Sequence, residues 1–550
     1  MKRIRKYILP VLMLGVLLFP SCDDFLDVAP TSELESVYFE NENRVDRGIG
    51  AIYSEIGVLY CPNMELGQFS AGPLHKLWLL PGDDITVSNN GNLQFEAFVS
   101  LTTSDGTVLS YWSILYATIA RANFMLEKLD DPDVLAVIKT PNKGDHCKGE
   151  ALFLRSWANI RLWDNFRKAP NQNFRIKETD KALLSPTKNF ELLDQAIDDL
   201  KLAINLLPDS WNTENKGRVF KNSARGLLVK AYMLRACYAG QYGGNKAEDY
   251  RNAIDIFETI DAESTIEGIH FGDNFDIRKE NNRESLFEYQ ASHNIKEDNS
   301  WLNGNFGGDA GAMGALYIYF WEHQHTDYMC GSSFGPTQKL VGKFQAGDPR
   351  FNETILDRSS GGKPAYSWLS GDWKNFGGYQ FVKYINGDRR GEPDTKYDVT
   401  SGNNPRILRL ADVKLAVAEA YLQSGNAPEA LKQVNDIRKR ARLSTATGTE
   451  SPVPADYASI TMQEIMDERL LELAGEEDIR FSDMKRWHAA GYIDLEEWAA
   501  KPKEMWGYDE ATKINPFEFN IAKNLLLPIP NEEITANPKM QADGNNPGYN

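Results

Sequence analysis

Hydrophobic residues recur every three or four positions in several long stretches of the chain, which predicts amphipathic helices. The stretch 111–129 (YWSILYATIARANFMLEKL) and the aromatic-rich stretch 149–166 (GEALFLRSWANIRLWDNF) both follow this spacing. The stretch 190–207 (FELLDQAIDDLKLAINLL) continues the pattern until Pro208, which is a helix breaker. Residues 464–487 are predicted to be helical as well.

Two later segments share one layout. Residues 223–240 (SARGLLVKAYMLRACYAG) precede a second helical stretch at 245–260, and residues 409–425 (RLADVKLAVAEAYLQSG) precede one at 426–443. In both, the first helix carries Ala-Tyr followed by Gly, which can supply a left-handed cap. Helix pairs of about 34 residues are typical of tetratricopeptide repeats. Ordinary antiparallel helices are the alternative.

The region 262–404 breaks the helical pattern. It is rich in Gly, Asn, Asp and aromatic residues, as in 303–314 (NGNFGGDAGAMG), and this density of turn residues predicts loops and short strands. One strand is predicted at Leu286–Gln290. A loop-rich insertion of this length in a helical protein is usually functional. Residues 525–549 contain several prolines and glycines and are predicted to lie extended over the body.

The first residues form an export leader. Cations at positions 2–6 precede an apolar run at 7–19, and the small residue Ser21 then precedes Cys22. A cysteine at this position is typical of a bacterial lipoprotein, in which its thiol carries the lipid. Ordinary secretion with an incidental cysteine is the alternative. The run contains Pro10 and is too short for a spanning helix.

The fold prediction is a mainly α chain: a tetratricopeptide-like scaffold with an inserted loop-rich subdomain that contains short strands. The predicted regions are a signal peptide at 1–21, a lipidated tether and entry segment at 22–40, an N-terminal helical repeat region at 41–261, a loop-rich ligand-binding insertion at 262–404, and a C-terminal helical repeat with an extended tail at 405–550.

Charge and cysteine content narrow the function classes. The chain has 60 Lys and Arg residues against 78 Asp and Glu residues, a formal net charge of −18, which argues against nucleic acid as a partner. Besides Cys22, the cysteines are widely spaced and form no zinc-type pair. Cys237 is predicted to be a buried small residue. Disulfide pairing among Cys61, Cys147, Cys237 and Cys330 stays open.

Motifs for cofactors and catalysis are weak. The glycine-rich run 304–314 lacks phosphate-loop spacing, and His323 and His325 have no evident third ligand, so surface histidines are favoured over a metal site. Two acidic groups, Asp83-Asp84 and Glu476-Glu477-Asp478, could in principle serve a glycosidase, which needs two carboxylates. Adjacent acids are normally just solvated. We therefore predict no enzyme activity, no cofactor and no metal.

Aromatic residues outside the helices suggest a carbohydrate site, because flat aromatic rings stack on sugar rings while polar neighbours bridge the hydroxyls. Each could instead pack inside the protein. The predicted ligand-binding residues are Trp78, Asp83, Trp301, Asn303, Phe306, Tyr319, Trp321, Trp368 and Trp373.

Several motifs resemble the SusD/RagB family of Bacteroidetes outer-membrane lipoproteins. The most specific are Glu468-Arg469…Arg480-Phe-Ser-Asp483-Met-Lys-Arg486-Trp487 and Leu527-Pro-Ile-Pro530…Asn546-Pro-Gly-Tyr549. Pro336-Thr-Gln338…Gly347-Asp-Pro-Arg350 also resembles the family.

The resemblance implies about four tetratricopeptide-like helix pairs. It also implies a surface-exposed lipoprotein of the outer membrane, held by Cys22, that captures oligosaccharide and delivers it to a TonB-dependent transporter without cleaving it. Asp23 and Asp24 resemble the family's signal for outward display. The binding residues form no family-wide motif, so the site residues above rest on position alone. A tetratricopeptide-type scaffold that binds only protein is the alternative function, and a glycoside hydrolase is a less favoured one.

Overall fold

The computed structural model describes residues 38–59, 75–87, 93–291, 334–357, 379–381, 383–384, 403–500 and 517–549. The helices are α1 Glu42–Val58, α2 His75–Leu79, α3 Leu93–Glu96, α4 Gly106–Lys128, α5 Pro132–Val137, α6 Lys143–Phe166, α7 Glu191–Leu206, α8 Lys221–Tyr242, α9 Lys246–Phe257, α10 Gln338–Lys343, α11 Pro349–Thr354, α12 Leu410–Gln423, α13 Ala427–Leu443, α14 Met462–Leu473, α15 Arg480–Ala489, α16 Leu495–Ala500, α17 Ile521–Asn524, α18 Asn531–Ala536 and α19 Pro538–Asp543. The strands are β1 Ile85–Val87, β2 Ser285–Glu288, β3 Phe334–Pro336, β4 Ile355–Asp357, β5 Tyr379–Phe381 and β6 Arg406–Arg409.

The long helices pack as a chain of antiparallel pairs. The pairs are α1 with α4, α6 with α7, α8 with α9, and α12 with α13. The second helix of each pair also packs on the first helix of the next, and the first helices of successive pairs touch one another. This is the contact scheme of stacked helical repeats, in which each unit buries its apolar face against its neighbours. The predicted repeat scaffold is confirmed.

The two repeats that share a sequence layout also share their caps. Asn245 accepts a hydrogen bond from the Glu248 N–H at the start of α9, and Asn426 caps α13 in the same way. Gly425 has the left-handed conformation expected after α12 (φ +82°). The α8–α9 pair differs from the prediction in one respect. Helix α8 continues past Gly240 to Tyr242, and the left-handed Gly243 caps it.

The predicted helix at 464–487 is two helices. The helix is interrupted between α14 and α15, where Gly475 (φ +69°) and Asp478 (φ +45°) adopt left-handed backbone conformations. The break turns the chain so that α14 packs on α12 and α15 packs on α8. Trp487 of α15 is buried there, with its indole N–H donating to Glu419 (3.1 Å).

The C-terminal tail lies on the end of α6, as its prolines and glycines predict. The Leu527 N–H donates to the Asn165 carbonyl (2.8 Å), and the Asn546 amide donates to the Phe166 carbonyl (3.0 Å). The tail is less extended than predicted, because it contains the short helices α18 and α19.

The loop-rich subdomain is not confined to the predicted insertion. Strand β1, from the N-terminal region, pairs antiparallel with β3. Strand β2 pairs antiparallel with β6, which begins at Arg406, just beyond the predicted end of the insertion at residue 404. The third ribbon joins β4 to β5, and β3 lies beside β5. The strand predicted at Leu286–Gln290 is confirmed as β2, Ser285–Glu288.

A buried ionic cluster, which we call the Glu472 cluster, joins this subdomain to the helices. Glu472 lies in α14 and accepts from Arg350, Arg409 and Arg440, at 3.2 Å for Arg350 and 2.7 Å for Arg409. The cluster contains equal numbers of cations and anions: Arg350, Lys383, Arg409, Arg438 and Arg440 with Glu284, Asp348, Glu468, Glu472 and Glu476.

Balanced charge is what makes this burial tolerable, because each ion in a low-dielectric interior needs a partner. Burial alone raises the pKa of Glu472, but Arg440, Arg409 and Arg350 outweigh that effect and hold the pKa below its usual range. Glu472 therefore stays ionised and supports three guanidinium groups at once.

Replacing Glu472 with Gln should destabilise the protein by about 3–5 kcal/mol, because three buried cations lose their shared anion. The free energy of unfolding in urea measures this. Glu450→Gln is the matched control: that carboxylate is half exposed and pairs with Arg442 (2.8 Å), so its loss should cost less than about 1 kcal/mol. Equal losses in the two variants would contradict the structural role of the cluster.

Candidate functional site

The β1–β3 ribbon carries an attachment point of the predicted loop-rich insertion. Val87 at the end of β1 is paired with Phe334 at the start of β3. The segments 88–92 and 292–333 therefore join the described structure at the same end of this ribbon. Segment 292–333 contains most of the predicted stacking residues: Trp301, Asn303, Phe306, Tyr319 and Trp321. All five lie outside the described residues, as do His323 and His325.

The neighbouring ribbon carries the other predicted aromatic residues. Asp357 of β4 is paired with Tyr379 of β5, so segment 358–378 connects the two strands at that end. Trp368 and Trp373 belong to this segment and lie outside the described residues. Because β3 lies beside β5, the two ribbons form one platform to which both aromatic-bearing segments are attached.

A pair of adjacent acids fixes this platform to the helices. The Thr337 N–H donates to the Asp84 carbonyl (2.9 Å), and the Thr337 hydroxyl donates to the Asp83 carbonyl (2.8 Å). The Asp83 carboxylate accepts from Arg480 of α15 and Lys339 of α10, both at 2.5 Å. The Gly475 N–H donates to the Asp84 carboxylate (2.8 Å).

Asp83 was predicted to contact ligand, and its environment leaves no room for that role. It is 2% exposed, and each of its carboxylate oxygens is bound to a cation. Trp78 likewise lies in the core rather than on a stacking surface. It is 3% exposed, with its ring 5.8 Å from that of Tyr111 and beneath the Arg161 guanidinium. Asp83 anchors the platform instead, and Trp78 packs in the core against helix residues.

The pKa values of the two adjacent carboxyl groups shift in opposite directions. Burial raises the pKa of Asp83, but Arg480 and Lys339 outweigh it and hold the pKa well below its usual range. Burial raises the pKa of Asp84 to about 6, against the opposing effect of the Gly475 hydrogen bond. Its Oδ1 atom is buried and accepts no hydrogen bond from any described residue. The cations that contact Asp83 therefore explain why its pKa differs from that of the neighbouring Asp84.

The carboxylates of the second acidic group, residues 476–478, also form ion pairs inside the protein. Glu476 pairs with Arg409 (2.6 Å) and Lys383 (2.9 Å), while Glu477 and Asp478 both pair with Arg161, at 3.1 and 3.4 Å. These carboxylates hold the α14–α15 break in place. The geometry therefore offers no freely accessible acid pair among these two candidates.

Cavities in the described regions lie elsewhere. A groove of about 660 Å³ lies between α9 and α13, and a smaller pocket of about 180 Å³ lies beside Trp211. An interior cavity of about 90 Å³ lies between α6, α8 and α15. Of the predicted sugar-binding residues, Trp78 and Asp83 belong to the described structure, and neither lines any of the three. The sequence contains no signal for the groove, because it arises from residues far apart in the chain.

The described ranges contain possible metal ligands, long helices and two of the five cysteines. Within them, no cluster of three or more His, Cys, Asp or Glu residues could hold a metal ion. No helix in the same ranges is long and apolar enough to cross a bilayer. Cys147 and Cys237 are free thiols and both are buried, as predicted for Cys237. Cys22, the leader, Cys61 and Cys330 lie outside the described residues.

Comparisons with known proteins point in one direction. A family model described as "SusD family" matches residues 283–549, and one described as "Starch-binding associating with outer membrane" matches residues 24–233. The SusD-like protein P25 of Formosa agariphila is 24% identical over 559 residues, covering 96% of this chain and 97% of that protein.

Solved structures share the fold. A SusD superfamily protein from Bacteroides vulgatus superposes with a TM-score of 0.69 at 21% identity, covering 93% of this chain and 100% of that one. A laminarin-binding SusD-like protein gives 0.67 at 23%, with 92% and 100% covered. Surface glycan-binding protein A from Bacteroides thetaiotaomicron, in complex with laminarihexaose, gives 0.65 at 18%, with 92% and 99% covered.

Because the pKa values of Asp83 and Asp84 shift in opposite directions, replacing the two carboxyls should have opposite effects on stability. A carboxyl with a raised folded-state pKa binds more protons when folded, so stability falls as pH rises from about 4 to 6. Asp84→Asn removes this loss and should stabilise the protein at pH 7. Asp83→Asn should destabilise it at pH 7, because Arg480 and Lys339 lose their partner. Urea midpoints of both variants between pH 4 and 8 test this.

The Asp83 contribution should shrink at low pH in the native protein, because a carboxyl with a depressed folded-state pKa contributes fully above the pKa of the unfolded chain and loses that contribution as pH falls from there toward the folded-state pKa. The wild-type and Asp83→Asn midpoints should therefore converge as pH falls below about 4. Shifts of the same sign in both variants at pH 7 would refute the assignment.

Proposed function

The chain belongs to the SusD family, and on that basis we propose that it binds oligosaccharide at the cell surface and delivers it to a TonB-dependent outer-membrane transporter. In this role the protein is a non-catalytic capture device. The observation that carries the proposal is the platform: two neighbouring ribbons hold the attachment points of both segments that are rich in aromatic residues.

Structural relatives support a carbohydrate ligand. Two proteins of the same fold carry names that state laminarin or laminarihexaose as what they bind. We infer that the ligand of this chain is also an oligosaccharide. We further propose that segments 292–333 and 358–378, which carry the predicted stacking residues, determine which oligosaccharide is bound.

The proposed sugar-binding residues are those of the two attached segments. Because Trp78 is buried in the core and Asp83 anchors the platform, the set that we propose is Trp301, Asn303, Phe306, Tyr319, Trp321, Trp368 and Trp373. Aromatic rings would supply the stacking surface, and Asn303 would select hydroxyl geometry. Modest affinity suits delivery, because a tightly held ligand dissociates slowly.

The location proposed for this capture is the outer face of the outer membrane, with Cys22 as the lipid anchor. One family description associates its members with the outer membrane. The leader ending at Ser21-Cys22, followed by Asp23 and Asp24, supports attachment through a lipid and outward display.

Two other functions remain as alternatives. A tetratricopeptide-type scaffold that binds only protein is favoured by the stacked helix pairs. A glycoside hydrolase is disfavoured by the ion pairing of both acidic groups. A reducing-sugar assay on the polysaccharides that the protein binds distinguishes capture from hydrolysis, since a pure binder releases no new chain ends.

Truncating a central aromatic of the proposed site should weaken glycan binding by about tenfold or more, because such residues dominate binding energy. The test uses residues 23–550 in affinity gels containing laminarin and other soluble polysaccharides, comparing Trp301→Ala and Trp321→Ala with the parent. Trp211→Ala is the matched control, since Trp211 is half-buried and lies outside both segments. Unchanged retardation of both site variants would reject the proposed set.

Replacing Cys22 with Ser should release the protein from membranes, because the acceptor thiol for the lipid is lost. Fractionation of cells expressing the full chain, followed by sedimentation, measures this. The Cys61→Ser variant serves as a control and should stay with the membrane fraction. A Cys22→Ser protein that still sediments with membranes would contradict the anchor.

A further inference from the structure

Asn404 lies where two segments of the insertion join the described structure. It is the second described residue after segment 385–402, and it is 1% exposed. Ala291 is the last described residue before segment 292–333. The Ala291 N–H donates to the Asn404 Oδ1 atom (2.8 Å). One buried side chain therefore joins the entry to segment 292–333 to the exit from segment 385–402.

This hydrogen bond continues the β2–β6 ribbon past the end of its backbone pairing. The paired register ends at Arg406, and beyond it the Tyr289 N–H donates to the Pro405 carbonyl (3.1 Å). Pro405 has no N–H, so it cannot donate to the neighbouring strand in return. The side-chain oxygen of Asn404 supplies the next acceptor, and the alignment of the two chains thereby extends to Ala291.

The orientation of the Asn404 amide is fixed by its partners. Its Nδ2 atom donates to the Glu288 carboxylate (2.9 Å) and to the Gln290 side-chain carbonyl (3.3 Å), while its backbone N–H donates to Glu280 (2.6 Å). A reversed amide would set its oxygen against the Glu288 carboxylate and its NH₂ group against the Ala291 N–H. The observed orientation satisfies both partners, and rotation away from Ala291 would leave buried groups unpaired.

The two ends of segment 292–333 are held by different ribbons. Its exit is fixed on the platform by the pairing of Phe334 with Val87, and its entry is fixed on the β2–β6 ribbon through Asn404. Five of the proposed sugar-binding residues belong to this segment. A segment that is held at both ends has less conformational freedom to lose when it binds a ligand, which favours affinity.

We propose that Asn404 is a positioning residue for glycan binding, which fixes the entry to segment 292–333 without contacting the ligand. The inference rests on the proposed function, because it assumes that this segment contacts the oligosaccharide. It assigns to Asn404 an effect on glycan affinity that is separate from its contribution to the stability of the fold.

The test uses residues 23–550 in affinity gels with a concentration series of laminarin and of other soluble polysaccharides. Asn404→Ala removes the acceptor of the Ala291 N–H and should bind about fivefold more weakly or worse, because ordering a loosely held segment costs free energy. Ala291→Pro removes the donor of the same bond at a half-buried position and should weaken binding similarly. It decides the question if Asn404→Ala does not fold, which circular dichroism shows.

The matched control is Asn546→Ala in the C-terminal tail. Asn546 is 0% exposed and donates to the carbonyls of Phe166 (3.0 Å) and Leu527 (2.7 Å), so it is also a buried amide that joins two parts of the chain. Its loss should lower the urea midpoint, as the loss of Asn404 should. Its glycan affinity should stay within about twofold of the parent, because the tail does not touch the entry to segment 292–333.

Asn404→Asp separates positioning from stability. Aspartate keeps an oxygen for the Ala291 N–H, but it sets a second carboxylate against Glu288, and like charges in a buried site are unfavourable. This variant should unfold at a urea midpoint no higher than that of Asn404→Ala, yet bind glycan more tightly than Asn404→Ala does. A purely structural role would rank the two variants in the same order in both measurements.

Three results would overturn the inference. Parent-like affinity in folded Asn404→Ala or in Ala291→Pro would show that the entry does not position the site, while the proposed function would stand. Equal losses of affinity in Asn404→Ala and Asn546→Ala would assign the effect to stability alone. No retardation of the parent by any of the polysaccharides would reject the proposed function itself, and the inference with it.

Discussion

The buried ionic cluster around Glu472 is the constraint on which the arrangement of this molecule depends. Ions withdrawn from water are tolerated only when their partners are in place, so the cluster forms as a whole or leaves an uncompensated charge. Its members come from α11, β6, α13 and α14, and from Lys383 after β5. The cluster thereby fixes the loop-bearing subdomain to the helical scaffold at one position.

On the other side of the platform, Asp83 and Asp84 likewise fix the structure through buried carboxyl groups that have partners. Asp83 joins α10 to α15 through two ion pairs, and Asp84 holds the backbone of Gly475. The α14–α15 break is thus tied to two ribbons of the subdomain: through Glu476 to β6 of the β2–β6 ribbon, and through Gly475 to the turn before β1 of the platform. A platform supported at two points keeps the attachment points of segments 292–333 and 358–378 at a fixed position relative to the helices.

Hydrophobic periodicity was sufficient to predict the helices, the repeat layout and the mainly α fold, because these depend on local spacing and on caps such as Asn245 and Asn426. It could not predict the break after Leu473, where the left-handed Gly475 and Asp478 interrupt an otherwise periodic stretch. Nor could it assign Asp83 and Trp78. Their roles are set by Arg480 and Arg161, hundreds or tens of residues away.

The polar residues of this chain therefore fall into two populations with different physical roles. Those in the Glu472 cluster and the Asp83 anchor are paired within the protein, so their charges serve to hold the fold in its geometry. The exposed charges form the second population: Lys439 makes no ion pair within the described structure and lies in contact with solvent. Arg440, the next residue of α13, belongs to the first population, because two of its nitrogens hold Glu284 and Glu472 in the interior. Neighbouring residues of one helix thus have opposite roles, because successive side chains of a helix do not lie on the same face.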